Sequence, residues 1–362
     1  PWVSRPASAY GFQPYDAYAA DPVNLATGSF TNASTDLVAP AGVYGLDFTR
    51  TYNSADPMVS ALGVGWVPSF ASRVFANSTQ AMVRYDNGKQ VVYTLSGGSY
   101  VAPPGEANTL VHNGNGTWTV TFPSGEHWDY APNGVLTKRT AADGQRIELA
   151  YTSPGLTGVT AYNAAGVQDG TLTLSYDANG FLSGVASSTG QSVSYNVANQ
   201  FLTSFTDVNN KTWTFTPDGL GRILTETDPT GAMIVSNVYD YAGRVYQQTS
   251  SAGTVTTITY DWVSGTATVT DQATNKALVY KVDHTGRVLK VTDPADKNAE
   301  ITYTDGYPTK VVDRNGVTQT AAYDTAGNLL WSRDPSATNS SNASDPNAGK
   351  TTYVYDSRNR VK

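Results

Sequence analysis

Five aspartates, Asp177, Asp240, Asp261, Asp324 and Asp356, each directly follow a tyrosine, and their type and recurrence make them the first candidates for chemistry in this 362-residue chain. Paired carboxylates flanking a sugar ring are what glycoside hydrolysis needs, one as acid and one as base or nucleophile. Such a pair works only when two different environments push its pKa values apart, and these residues share one local context. Their spacing assigns each to the same turn of a different repeat, where a carboxylate caps backbone amides. The histidines, His112, His127 and His284, lack ligand spacing, and the chain has no cysteine to complete a transition-metal site. His127-Trp128-Asp129 offers a His–Asp couple, but side chains alternate between faces along a strand, so packing and surface roles are expected of it. The Asp- and Asn-rich turns lack the dense ligand set of a calcium loop. Gly63-Val64-Gly65-Trp66 lacks the lysine and following helix of a phosphate loop. No catalytic, cofactor-binding or metal-ligating residue is therefore expected, and no cofactor.

The elements that carry these residues follow from composition. The chain has 33 Gly and 23 Tyr, is rich in Thr, Val, Ser and Asn, and only 15% of it is charged. Those residues build strands and turns, and helix formers are scarce. The net charge of −7, with no clustered Lys and Arg, leaves no electrostatic footprint for nucleic acid or an anionic membrane. The uncharged run from Ala178 to Thr206 is interrupted throughout by Ser, Asn, Gln, Thr and Gly, so it supplies no membrane-spanning helix. The chain opens Pro1-Trp2-Val3 without an initiator Met or signal peptide and is read as a mature product or an excised fragment. Absence of cysteine suits an exported bacterial protein.

A fixed period organises the chain. Tyr176-Asp177-Ala178-Asn179-Gly180, Tyr239-Asp240-Tyr241-Ala242-Gly243-Arg244-Val245, Asp283-His284-Thr285-Gly286-Arg287-Val288 and Tyr323-Asp324-Thr325-Ala326-Gly327 share a pattern, joined by Tyr260-Asp261 with Gly265 and by Tyr355-Asp356 with Asn359. Admitting Asn199 and Gly306, the marker falls at 180, 199, 221, 243, 265, 286, 306 and 327, a beat of about 21 residues. A second marker, Asp207, Asp228, Ser250, Asp271, Asp293, Asp313 and Asp334, keeps the same beat half a repeat away. Each repeat reads as two short strands and two reversals, with Gly or Asn supplying positive φ. Segments such as Thr171-Leu172-Thr173-Leu174-Ser175-Tyr176 alternate with the period of a half-buried strand. A lone hairpin cannot bury its apolar face, so neighbours must pair side by side. The fold class is thus all-β, a ribbon or spiral of side-by-side hairpins behind an N-terminal β domain. The roughly 11 repeats from Trp128 give a sheet on the order of 100 Å wide, which must coil.

The break at Val101-Ala102-Pro103-Pro104-Gly105, after a strand-rich run with a hairpin signal at Asp86-Asn87-Gly88, divides the chain into a leader, 1–105, and a ribbon, 106–362. Leu46, Phe48, Trp66 and Phe70 need a partner surface, so the leader is expected to cover the ribbon's first edge. Two irregularities stand out: an exposed loop insertion at 336–349, and a smaller insertion near Tyr162 to Gly170. The repeat tyrosines are expected to stack in a ladder across neighbouring repeats, and exposed Tyr and Trp offer a sugar-stacking alternative. Asn32, Asn77, Asn115, Asn339 and Asn342 are glycosylation acceptors only in a host that modifies them, and carry no weight for a bacterial source.

The Tyr-Asp-x-x-Gly-Arg-Val and Thr-Asp-Pro-x-Gly beat resembles the Rhs/YD-repeat family of bacterial Rhs and wall-associated toxins, toxin-complex shell subunits and teneurins. Asp21-Pro22-Val23-Asn24-Leu25-Ala26-Thr27-Gly28, Phe48-Thr49-Arg50-Thr51-Tyr52-Asn53-Ser54 and Leu62-Gly63-Val64-Gly65-Trp66 resemble the domain that precedes such repeats. The resemblance implies a β-ribbon spiralling into a hollow shell, secreted or at the cell surface, whose partners are an enclosed toxin cargo and the remaining shell. It implies a structural, non-enzymatic fragment. A cell-surface adhesion or glycan-binding module is the alternative, and a carbohydrate-active enzyme a distant one.

Overall fold

The computed structural model describes residues 16–39, 44–334, 347–356 and 359–362. Among the described residues it contains 34 strands and no helix. One antiparallel sheet of 27 strands runs from Arg73–Ala76 to Lys350–Thr352 and closes into a barrel, each strand pairing with the next in sequence. Alternation sets the faces: in Ser192–Ala198 the side chains of Val193, Tyr195 and Val197 are buried while Ser192, Ser194, Asn196 and Ala198 are exposed. An apolar residue at every second position is what lets one face pack and the other meet water.

The turns explain the beat. In Asp240 to Arg244 the Asp240 amide donates to the Arg244 carbonyl and the Gly243 amide returns to the Asp240 carbonyl. One carboxylate oxygen, Oδ1, accepts the amides of Ala242 and Arg244 at 2.9 and 3.0 Å. The same double cap recurs at Asp177, Asp207, Asp218, Asp228, Asp283, Asp293, Asp313 and Asp324. Both sets of turns therefore use one chemistry, and Ser250 keeps the backbone pattern where it replaces Asp. Asp240→Ala orphans two amides at once and is expected to lower unfolding free energy by about 1–2 kcal/mol, against a few tenths for Asp240→Asn, whose side-chain oxygen still accepts. Urea titration of the two variants checks this.

Closure happens early. Arg73 bridges Val135, and the Val74 amide donates to the Gly134 carbonyl at 2.9 Å, so the first strand of the sheet is paired on both sides. Gly134, at φ +80°, allows this approach: a Cβ there would stand 1.9 Å from the Val74 carbonyl oxygen. Val74, Val83, Tyr93, Val120, Tyr130 and Leu136 fill the enclosed core. The sheet is continuous across the expected leader–ribbon boundary, since Ser99–Val101 pairs with Thr109–His112. Extra residues near Tyr162 to Gly170 are taken up as two long strands, Gly155–Tyr162 and Gln168–Tyr176, joined by one tight turn. The expected loop at 336–349 falls outside the described residues except for the turn at 347–349, and Asn339 and Asn342 lie outside them as well.

The N-terminal part forms a three-stranded sheet, Thr31–Leu37, Phe48–Asn53 and Trp66–Pro68, with two small hairpins. The ribbon's first strand, Thr109–His112, is covered by the leader's Ser99–Val101, and the sheet's own first strand, Arg73–Ala76, is met by Val135, so the three-stranded part caps neither. Leu46, Phe48, Trp66 and Phe70 instead bury against the apolar face of the repeats, in one core with Val185, Tyr195, Phe205, Phe215, Ile223, Val235 and Ile258. A face of that size offers the leader far more apolar area than an edge could, and burial follows area.

Candidate functional site

The leader meets the sheet along a line of turns, in reverse order of sequence from Ala17 to Tyr52. Ala17 donates to the Gly286 carbonyl, Val245 to Gly28, Val64 to Gln200 and Leu182 to Ala61, all through backbone groups at 2.8–3.2 Å. Tyr52 joins them: its hydroxyl donates to the Gly221 carbonyl and accepts the Ile223 amide, each at 3.0 Å. The Gly63 segment therefore serves as a docking point, because a Cβ on Gly63 would lie 2.4 Å from the Gln200 carbonyl.

Buried polar groups fix this seam. Arg50 donates through Nε to both oxygens of Asp36, at 3.0 and 2.8 Å, and the Tyr195 hydroxyl donates to Asp36 Oδ2 at 2.8 Å. The Arg50 guanidinium lies 4.6–5.2 Å from the ring centroids of Trp66, Phe205 and Phe215, the geometry of a desolvated cation–π contact. Asn32 donates to the buried Glu226 at 2.9 Å. Gln248 treats the leader as a strand, accepting the Asp21 amide at 2.7 Å and donating to the Asp21 carbonyl at 3.1 Å while also holding Asn237. Leader and ribbon are thereby locked in a single register, because a slip leaves several buried polar groups unpaired.

Titration at the seam and at the turns has opposite signs. Burial pushes the carboxyls of Asp36 and Glu226 up, with the Arg50 charge opposing it. Burial also works against ionisation of Asp218, Asp240 and Asp283, but hydrogen bonds from their turns outweigh it and hold those carboxyls below the usual range. A raised folded pKa gives stability that is full below the unfolded value and shrinks as pH climbs through the folded one. The lowered aspartates contribute fully above about pH 4 and lose that contribution as pH falls through their folded values. Glu226→Gln is accordingly expected to be more stable than the parent at neutral pH, with the advantage vanishing near pH ~4. Thermal unfolding at both pH values measures it, and an advantage of equal size at both would contradict the assignment.

The residues singled out in the sequence are dispersed. His112 stacks on Trp118 at 4.1 Å, His127 sits at the opposite end of the neighbouring strands, and His284 is at an exposed turn tip. Asp129, on the same face as His127, is held by Lys138 at 3.1 Å and Thr119 at 3.1 Å. The tandem aspartates occupy separate turns, and several pair with an arginine four residues on: Asp218–Arg222, Asp240–Arg244 and Asp283–Arg287, at 2.6–2.7 Å. The expected ring-on-ring ladder is replaced there. Arg222, Arg244 and Arg287 lie 4.6–4.8 Å from the ring centroids of Tyr239, Tyr260 and Tyr303 in the following repeat. Tyr239 and Tyr260 then donate their hydroxyls to the carbonyls of Ile223 and Val245. Asp, Arg and Tyr thus form one bracing unit that ties each turn to the next. The Arg four residues after each Asp was its available signal.

Among the described residues no helix is long and apolar enough to cross a membrane. Residues 20–93 match the family model described as a domain of unknown function, DUF6531, and residues 195–233 match the RHS Repeat model. A comparison with curated proteins found no match. Among solved structures, the chain is similar to a Photorhabdus luminescens Tc holotoxin pore at 11% identity and TM-score 0.44, covering 87% of this chain and 22% of that one. It is similar to TcdB2-TccC3 at 13% identity and TM-score 0.45, covering 86% and 21%. A porin-like protein from Bacteroides uniformis aligns at 11% identity with TM-score 0.23, over 78% and 93%. The chain spans about a fifth of the length of the first two. The RHS Repeat match falls on strands and turns of the same build as those that recur from Asp177 to Asp356, so the Rhs repeat matched at 195–233 is one stretch of a longer series of like hairpins.

Proposed function

We propose that this chain is a non-catalytic structural segment of a large exported bacterial Rhs/YD-repeat protein, forming part of a β-shell that encloses or presents a C-terminal toxin domain outside this sequence. The supporting observation is how unevenly the apolar face of the sheet is used. The core shared with the leader extends to the partly buried Tyr280, Val282 and Val288, whereas between there and Ala348 no apolar side chain among the described residues is buried. Strand Asn298–Thr304 still alternates, with Ala299, Ile301 and Tyr303 half-buried on one face and the intervening residues exposed. A sheet patterned for burial but left half-covered is built to meet something more, either cargo or further shell.

In this reading the leader, 1–105, has two jobs. Its first part plugs the apolar face, and its strands from Arg73 onward begin the sheet that 106–362 extends. The protein is secreted or displayed at the cell surface, no cofactor is assigned, and nucleic acid is not a partner.

Limited proteolysis of the full-length parent protein tests enclosure. The segment following the repeats is expected to survive protease in the intact protein and to be cut at least about tenfold more slowly than when produced alone, the protection being lost once denaturant opens the sheet. Equal cleavage rates in the two settings would refute enclosure.

A further inference from the structure

The first position after the turn aspartate is occupied in three consecutive repeats by a planar ring: Tyr241, Trp262 and His284. All three are exposed, Tyr241 fully and Trp262 by 65%. Rings of this size cost free energy in water, and these lie beside the exposed Leu220 and Val263 of the same row of turns. The bracing tyrosines of the repeats are elsewhere engaged, so this row is not needed to hold the sheet together.

Its spacing is fixed by the fold. Neighbouring turns of one row are two strands apart, so the backbone positions that carry successive rings recur at about 10 Å. A polyproline II helix advances about 9 Å in its three-residue turn and presents the same face at every third residue. Three rings therefore match a Pro-x-x-Pro-x-x-Pro run, and aromatic ridges are what such preformed, low-entropy segments dock on. Charge supplies a direction. Asp240 and Asp283 are neutralised by Arg244 and Arg287 at 2.6 and 2.7 Å. The Asp261 carboxylate, in the middle turn, is bonded by amides and the Ser264 hydroxyl of its own turn and, among the described residues, faces no cation within ion-pair distance, so it carries its charge at the surface. Arg244 also lies 5.3 Å from the Trp262 ring centroid, which steadies that ring from one side. We propose that the row Tyr241–Trp262–His284 is a docking surface for a proline-rich, polyproline II segment of a partner protein, with prolines on the rings and a basic residue facing Asp261.

The proposal is independent of the shell reading. Its test is calorimetric titration of the purified chain with an acetylated peptide carrying proline at every third position and one flanking arginine. Saturable binding is expected, with loss of at least about tenfold in affinity for the Tyr241→Ala/Trp262→Ala double variant. Asp261→Asn, which keeps the turn cap, is expected to weaken binding several-fold and to reduce its salt dependence. Unchanged circular dichroism shows that the variants still fold. The proposal is overturned if no saturable binding occurs, if the peptide with its prolines replaced by alanine binds equally well, or if the double variant binds as the parent does. It is likewise overturned if a β-1,4-linked hexasaccharide binds in place of the peptide, or if the row proves to be a contact between two copies, seen as a dimer that the double variant dissolves.

Discussion

Trp66→Ala is expected to lower the unfolding free energy by about 3–5 kcal/mol, the range for removing a large aromatic side chain from a packed core. Trp66 is only 2% exposed. Its ring lies 4.9 Å from Tyr52 and 5.4 Å, edge on, from Phe215, so it joins leader and repeats in one aromatic cluster. The void left by alanine is walled by groups that cannot close in: Tyr52 is tied by two hydrogen bonds to Gly221 and Ile223, and Arg50 is held by Asp36. Guanidinium denaturation provides the measurement, with Trp262→Ala as the control. That side chain is largely exposed, and its loss is expected to cost less than about 0.5 kcal/mol. If Trp66→Ala cost no more than the control, the leader would not be part of the core.

Arg50→Met is the second large effect, expected at about 3–5 kcal/mol because it strands a buried carboxylate. Asp36 keeps the Tyr195 hydroxyl as its partner but loses the counter-charge bonded to it. With burial already pushing its carboxyl up, Asp36 is expected to take up a proton on losing Arg50, so the variant's deficit shrinks in acid. The double variant Arg50→Met/Asp36→Leu removes both charges and is expected to recover a good part of the loss. Unfolding of parent, single and double variants at neutral pH and near pH ~4 separates the two contributions. A double variant less stable than the single one would show that the ion pair is not the source of the penalty.

Much of this architecture is legible in the sequence because it is local. In most turns the opening Asp and the closing Gly lie three residues apart, and Asn359 takes the closing place at φ +56°, as the substitution pattern implies, whereas Asn199, at φ +52°, sits in a two-residue turn between Ala198 and Phe201. Strand alternation is equally local. What is not legible is whatever depends on how far the sheet curls. The leader's position on the apolar face, and the sealing of Arg73 by Val135, join residues with no shared local signal. Glu226, Asn237 and Gln248 look like lapses in the apolar pattern until Asn32 and Asp21 are seen to meet two of them. The bracing unit was partly visible, since Arg222, Arg244 and Arg287 repeat at fixed offset, but stacking on the next repeat's tyrosine needs the register of four strands.

The contact between Gly134 and Val74 gives the molecule a direction of assembly. An amide row left vacant at the first strand would recruit any passing strand, including one from another copy, and here that row is occupied by the chain itself. New hairpins can therefore add at one front only, in the order in which the ribosome delivers them, each laid against a template that is already complete. Deletions that remove repeats from the far side are expected to leave a shorter but orderly sheet, whereas a lesion at the founding eight strands, Arg73 to Thr140, would deprive every later hairpin of its template.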